Sequence, residues 1–120
     1  MFEPIDGLPD DAAGLSATGT VTGDDYQRTL IPLVKEKMAA HGKVRLVLYF
    51  GPEFAGYSAS AVWQDTKFGL AHLSDFSKVA VVSDVAWLRH AVQLFAPFVR
   101  CPVRLFAAGE LEPAKAWLAS

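Results

Sequence analysis

The sequence predicts a single α/β layer domain in which crossover helices join the strands of a mixed sheet. Three short apolar runs, at residues 44–50, 79–82 and 103–106, read as strands that are buried on both faces. They alternate with segments of helical periodicity, which is typical of parallel strands joined by crossover helices. A chain of 120 residues suits one domain, so we expect residues 1–120 to form a single unit.

The N-terminal region predicts the mixed edge of this sheet. Residues 2–5 and 14–21 have the character of short strands, and the turn between them is dense in Gly, Pro and Asp. Six acidic and no basic residues precede Arg28, so the formal net charge of −2 leaves +4 on the rest of the chain. Such a charge could favour an anionic surface, or the basic residues could simply solvate helix faces.

The first helix has clear boundary signals. Thr22 and Asp25 have the spacing of a capping box, and apolar residues then recur at helical spacing until a stop at residues 41–42. Pro32 predicts a kink inside this helix, because proline has no N–H and clashes with the preceding turn.

The second half predicts three more helices. Residues 51–76 begin as a Gly/Pro loop and become a helix over about 58–70. Asp84 is the expected cap of the next helix, whose end Pro97 disturbs. Pro113 suits the first turn of a final short helix.

Composition excludes several classes of protein. The slightly negative net charge argues against a nucleic-acid binder, and the single cysteine, Cys101, excludes an internal disulfide. The acidic, proline-broken N-terminus is unlike a secretory signal, and no apolar run approaches the ~18 residues that would span a bilayer. We therefore expect a cytoplasmic protein.

Residues 51–58 have the glycine spacing of a phosphate-binding loop but lack its chemistry. Tyr57 stands where that loop needs a lysine, Glu53 would repel phosphate, and Pro52 has no N–H to donate. We expect no nucleotide binding here, and a glycine-punctuated turn from strand to helix instead.

The sequence also lacks a catalytic or metal-binding constellation. The histidines do not pair at ligand spacing, and Cys101 beside Pro102 has the character of a packed residue. His72 and Asp75 have the spacing of a base and its orienting partner, but equally of a helix end followed by a turn. We expect no enzymatic activity, no metal and no cofactor.

Aromatic residues are the most informative feature. Fourteen of the 120 residues are aromatic, and six of them crowd into residues 50–76. Ordinary core sealing would explain this density, and so would a lid over an apolar groove or a face for a membrane or partner. In the lid hypothesis the ligand-binding residues are Phe54, Tyr57, Trp63 and Phe68.

Six segments in chain order carry a resemblance to a known family. They are TVTGDDY at 20–26, LIPL at 30–33, the strand at 44–50, WQDTKFG at 63–69, KVAVVSD at 78–84 with Trp87, and AKAWL at 114–118. This ordered set resembles the SpoIIAA-like family of small bacterial proteins, of the STAS/SEC14 type and related to CRAL-TRIO domains. The resemblance implies a STAS-like βαβ layer fold, with a four- to five-stranded mixed sheet and crossover helices packed on it.

The resemblance also implies two possible kinds of function. One is the anti-sigma-factor antagonist, a partner-binding switch phosphorylated on a serine after the central strand. The other is the CRAL-TRIO lipid carrier. Neither Ser58 nor Ser60 lies in the switch motif, so we assign no phosphorylation site.

The sequence therefore leads us to expect a non-enzymatic module that binds a hydrophobic or lipid-like small molecule, with a peripheral position at a membrane surface as one form of this. The alternative is a STAS-type regulator that binds a protein partner. We expect no nucleic-acid partner, and we expect a homodimer because small domains with exposed aromatics often dimerise.

Overall fold

Across residues 1–72 and 74–120, which the computed structural model describes, five strands form one sheet in the order β1-β2-β3-β4-β5. The strands are β1 (Phe2–Pro4), β2 (Ala12–Val21), β3 (Val44–Tyr57), β4 (Phe76–Ser83) and β5 (Val103–Phe106). β1 runs antiparallel to β2, and every later neighbour in the sheet is parallel. The mixed α/β sheet predicted from the sequence is confirmed. The expected burial of residues 103–106 on both faces is wrong, because β5 is an edge strand in which Arg104 is exposed.

The helices are named in chain order. They are α1 (Gly23–Asp25), α2 (Ile31–His41), α3 (Ala59–Ala71), α4 (Ala86–Phe95) and α5 (Leu111–Ala119). A π-helical turn, Tyr26–Leu30, joins α1 to α2, and 3₁₀ turns follow α4 at Ala96–Phe98 and precede α5 at Ala108–Glu110. The predicted helix over about 58–70 is confirmed as α3.

The helices divide unequally between the two faces of the sheet. Because consecutive parallel strands are neighbours, crossover connections of one hand place their helices on the same face. Val34 of α2, Phe68 of α3 and Leu88 of α4 accordingly pack into one core cluster. Ala114 and Leu118 of α5 pack into a second cluster on the opposite face. We call these the three-helix face and the α5 face.

The first helix starts as predicted and then departs from a simple kink. The backbone N–H of Asp25 donates to Thr22 Oγ1 at 3.2 Å and that of Thr22 to Asp25 Oδ2 at 2.8 Å, which completes the capping box. Pro32 lies in the first turn of α2, where its missing N–H costs least. The disturbance falls before it, in the π turn, where the Ile31 N–H reaches back to the Tyr26 carbonyl.

The loop predicted from residue 51 is wrong, because β3 continues to Tyr57. Between the partner pairs Ala17↔Phe50 and Gly19↔Phe54, β3 advances four residues while β2 advances two. Residues 51–53 therefore bulge out of the ladder, and this bulge accommodates Pro52, which has no N–H to pair. The glycines and proline mark strand bulges and not a hinged loop.

The expected cap of α4 is also wrong. The helix begins after Val85, whose backbone N–H donates to Ser83 Oγ at 3.0 Å. Asp84 instead accepts a 3.0 Å hydrogen bond from the Ala108 N–H, so it fixes the turn before α5 to the end of β4. Pro97 ends α4 in a 3₁₀ turn, and Pro113 lies early in α5, both as predicted.

Candidate ligand-binding groove

A groove of about 310 Å³ lies on the three-helix face, between the sheet, α3 and α4. Its floor comes from alternate residues of two neighbouring strands, because alternate side chains share a face of a sheet. Leu46 and Leu48 of β3 stand beside their partners Val79 and Val81 of β4. The floor is therefore branched and apolar.

The walls of the groove are two helices. α3 contributes Val62, Asp65, Thr66 and Phe68, and α4 contributes Trp87, Leu88, Ala91, Val92 and Phe95. The α4 residues recur at three- and four-residue spacing, so they form one continuous face of that helix. Apolar side chains thus line the groove on the floor and on both sides.

The groove is open to solvent along one side. Val62, Trp87 and Phe95 line it, yet each keeps more than half of its surface exposed. Leu94 near the end of α4 and Phe98 in the 3₁₀ turn that follows are each 71% exposed. Soluble proteins rarely expose so many large apolar side chains together without a binding role.

An aromatic cluster closes one end of the groove. The Phe50 and Phe54 ring centroids are 4.9 Å apart, and Tyr57 lies 5.7 Å from Phe54, both in edge-to-face geometry. Trp87 of α4 meets the Tyr57 ring edge-on at 5.9 Å. The end of β3 and the start of α4 are therefore held together by ring contacts.

Three polar side chains meet at the same end. The Tyr26 hydroxyl lies 2.9 Å from the Tyr57 hydroxyl and 2.9 Å from Asp65 Oδ1. Tyr26 is fully buried in the π turn, whereas Tyr57 and Asp65 line the groove. We call these three residues the Tyr-Tyr-Asp relay.

The relay is an unusual place for a charge. Although Asp65 is exposed toward the groove, desolvation by the surrounding protein raises the pKa of its carboxyl, and the hydrogen bond from Tyr26 opposes this. Burial, with the nearby Asp65 charge, also raises the pKa of both tyrosine hydroxyls, so they remain protonated. Among the described residues, no cationic side chain lies within 4 Å of the Asp65 carboxylate.

The structure brings together part of the predicted ligand-binding set. Tyr57 and Phe68 line the groove, and Phe54 packs against Tyr57 in the aromatic cluster. Trp63 lies outside the lining, on α3, with 63% of its surface exposed. The hydrophobic lining itself came from residues that the sequence marked only as strand or helix core.

Sequence reasoning missed the polar part of the site. Tyr26 and Asp65 fall within the segments TVTGDDY and WQDTKFG that carry the family resemblance, but neither was predicted to belong to a binding site. Trp87 was noted only beside the segment KVAVVSD, and it lies at the groove mouth and in the aromatic cluster.

The remaining candidate residues have structural contacts. His72 Nδ1 lies 2.7 Å from Asp75 Oδ2 at the end of α3, where the pair joins that helix to β4. Ser58 Oγ accepts from the Ala61 N–H at 3.1 Å, and Ser60 Oγ accepts from the Gly23 N–H at 3.2 Å. Desolvation raises the pKa of the Cys101 thiol, which keeps it protonated.

The described part of the chain has neither a cluster of metal ligands nor a helix that could span a membrane. No three His, Cys, Asp or Glu residues there lie close enough to hold a metal ion. No helix among residues 1–72 and 74–120 has the length and apolarity to cross a membrane.

Comparisons with known proteins identify the fold. A family model described as SpoIIAA-like matches residues 13–119. A similar solved structure is the crystal structure of an uncharacterized protein from Shewanella loihica PV-4, described as a DUF3478 family member with a SpoIIAA-like fold. The two chains are 23% identical with a TM-score of 0.76, over 98% of this chain and 92% of that one. A search of curated proteins found no match.

Proposed function

This chain belongs to the SpoIIAA-like family, and we propose that it is a non-enzymatic module whose groove binds an apolar or amphipathic, lipid-like ligand. The observation that carries the proposal is the groove itself. Its volume of about 310 Å³ lies within the range of ~300–1,000 Å³ that small-molecule sites occupy, and its lining is mainly apolar with one polar end.

The lining favours binding over catalysis. Its polar side chains are Tyr57, Asp65 and Thr66, among the residues that the structure describes. The Thr66 hydroxyl is already engaged, because it donates to the Val62 carbonyl at 2.9 Å. Tyr57 and Asp65 are held in the relay, where neither has the base that would activate a nucleophile.

The mouth of the groove suits a ligand delivered from a lipid surface. Leu94, Phe95 and Phe98 project from the end of α4 and its 3₁₀ turn, and their apolar surfaces are largely exposed. The charge of +4 that follows the acidic N-terminus supports contact with anionic headgroups. We therefore include peripheral membrane association in the proposal.

Filling the groove tests this function. Ala91 lines the groove on α4, whereas Gln93 lies two residues further along on its exposed side. Native mass spectrometry of wild-type protein incubated with mixed bacterial lipids should show a retained lipid-sized mass. Ala91→Trp should lose that mass, and the matched control Gln93→Trp should retain it. Equal retention by both variants, or no retention by wild type, would contradict the proposal.

A STAS-type interaction module is the second candidate. The exposed Leu94, Phe95 and Phe98 also suit a protein partner, including a second copy of this chain. In the same measurement, an unliganded mass with a stoichiometric protein complex or dimer that Phe98→Asp abolishes would favour this candidate.

A further inference from the structure

The polar side chains at one end of the groove determine which head group its ligand can have. The choice of a head group rests on the proposed function, since the groove can select only what it binds. The number of protons in the Tyr-Tyr-Asp relay decides which groups face the ligand.

Each phenol carries one proton. The buried Tyr26 hydroxyl lies at hydrogen-bond distance from both of its neighbours, so it can donate to only one of them. Asp65 is exposed, and in its ionised form it can only accept, so it accepts the hydrogen bond that the Tyr26 hydroxyl donates. Tyr57 then donates its own proton to the Tyr26 oxygen, and the relay runs from Tyr57 through Tyr26 to Asp65.

This order leaves the groove with acceptors. The Tyr57 proton is used inside the relay, so the lone pairs of its oxygen remain for a ligand. Tyr26 contacts Asp65 through Oδ1, and Oδ2 has no hydrogen-bond partner among the described residues. The open side of the groove exposes Asp65.

The charge of Asp65 also favours a ligand head that donates hydrogen bonds and has no net negative charge. The negative charge of Asp65 has no cationic neighbour within 4 Å in the described part of the chain. In apolar surroundings, an uncompensated carboxylate attracts a cation and repels a second carboxylate more strongly than it would in water.

We propose that the groove selects amphiphiles whose head donates hydrogen bonds and carries no net negative charge, with a primary ammonium preferred to a hydroxyl and a carboxylate rejected. The apolar body lies along Leu48, Val81 and Val92, and the head meets Asp65 and Tyr57. A free fatty acid is therefore a poor ligand although its chain fits.

Three probes with the same chain separate the heads. Isothermal titration calorimetry at pH 7 with decylamine, decanol and decanoate, each below its micellar concentration, compares cationic, neutral and anionic groups. We expect decylamine to bind at least about tenfold more tightly than decanoate, with decanol between them, because hydrogen bonds to charged groups are the stronger ones.

Asp65→Asn tests the source of the preference. Asparagine still accepts from Tyr26 but removes the charge, so the ratio between decylamine and decanoate should fall to within about threefold. The matched control is Glu36→Gln, which removes one negative charge from the exposed side of α2 and should leave the ratio unchanged.

The outcomes are distinct. Equal affinity for the three probes, or tighter binding of decanoate, overturns the selection while leaving the proposed function standing. A preference that survives Asp65→Asn also overturns it. Binding of none of the probes overturns both. The wild-type ranking decides the question even if the Asp65 variant fails to fold.

Discussion

The two faces of the sheet are covered in opposite ways. On the α5 face, one short helix closes the sheet, and Val47, Val82, Ala114 and Leu118 are fully buried. On the three-helix face, more helical cover leaves a groove of about 310 Å³. The amount of secondary structure on a face therefore does not decide how completely that face is packed.

The α5 face is also secured by charged side chains. Arg45 donates to the Leu118 carbonyl at 2.8 Å and pairs with Asp11 at 3.0 Å. Lys78 donates to the Trp117 and Ser120 carbonyls at 3.1 and 2.7 Å. Both cations lie at the C-terminal end of α5, where the helix dipole favours positive charge. On this face, apolar packing and electrostatic contacts both hold α5 against the sheet.

The three-helix face has many apolar residues, but several of them line a groove that stays open to solvent. It also holds Asp65, whose carboxylate has no cationic side chain within 4 Å among the described residues, while desolvation raises its pKa. If the groove binds a ligand as we propose, its open face lowers stability in exchange for a binding surface, a common relation between function and stability. The comparison can be tested by placing the same change on each face.

The largest difference should come from a buried charge. Val47→Asp on the α5 face should leave the protein unfolded or insoluble, because an unpaired buried carboxylate costs several kcal/mol against a marginal total stability. Val81→Asp on the groove face should also be severe, yet milder, because its carboxylate can reach the open groove. Soluble yield and circular dichroism check this. Cooperative folding of Val47→Asp would show that the α5 face is less closed than described.

A smaller difference is expected from truncation. Leu118→Ala should lower the free energy of unfolding by about 4 kcal/mol, since it leaves a cavity within a closed core. Leu48→Ala should cost about 2 kcal/mol, because its side chain already borders an open groove. Urea denaturation of both variants measures the two values. Equal losses of unfolding free energy would mean that the side chains beside the groove are packed as tightly as those on the α5 face.

The smallest expected difference is in the direction in which removing one carboxylate changes the stability. The pKa of Asp65 is raised above its ordinary value of 3.8, so the native state holds this proton to higher pH than the unfolded chain does. Its contribution to stability is therefore present below pH 3.8 and is lost as pH rises through the folded-state pKa. Asp65→Asn should raise stability at pH 7 and remove this part of the pH dependence.

Asp11→Asn is the contrasting change on the α5 side. It breaks the partly exposed ion pair with Arg45, so it should lower stability by up to about 1 kcal/mol. Thermal unfolding of both variants between pH 4 and 8 compares them. A loss of stability at pH 7 in Asp65→Asn would contradict the view that the groove holds a costly charge.

The fold could be predicted because its signals are local. The strands at 44–50, 79–82 and 103–106 are short, mainly apolar runs that only Arg45 and Arg104 interrupt, and Thr22 and Asp25 form a capping box within one turn. The continuation of β3 to Tyr57 could not be predicted, because it depends on pairing with β2, which no nearby residue encodes. Without that partner, residues 51–57 have the composition of a turn.

The candidate site was predicted only in part for the same reason. Aromatic density pointed to Tyr57 and Phe68, which do line the groove. The relay joins Tyr26, Tyr57 and Asp65 from three elements, and 31 and 39 positions separate its contacts along the chain. Such a set has no periodicity or spacing to read, and its members come together only when the sheet and α3 are in place.

The second bulge in β3 has a consequence for how relatives of this protein diverge. Gly19 pairs with Phe54 and Thr20 with Gly56, so Ala55 is one residue more than the ladder needs. Because the bulge absorbs this residue, Phe54 and Tyr57 lie on the same face although they are three positions apart, and Tyr57 reaches Tyr26. If Ala55 were instead paired in a regular ladder, the alternation of the strand would turn Tyr57 to the opposite face, away from Tyr26 and Asp65. The relay is thus encoded by the bulge as much as by residue identity. Among relatives, a gap at position 55 would make the ladder regular and keep Tyr57 in place, whereas an inserted residue that no bulge absorbs would abolish the polar end of the groove even where the tyrosines and the aspartate are retained.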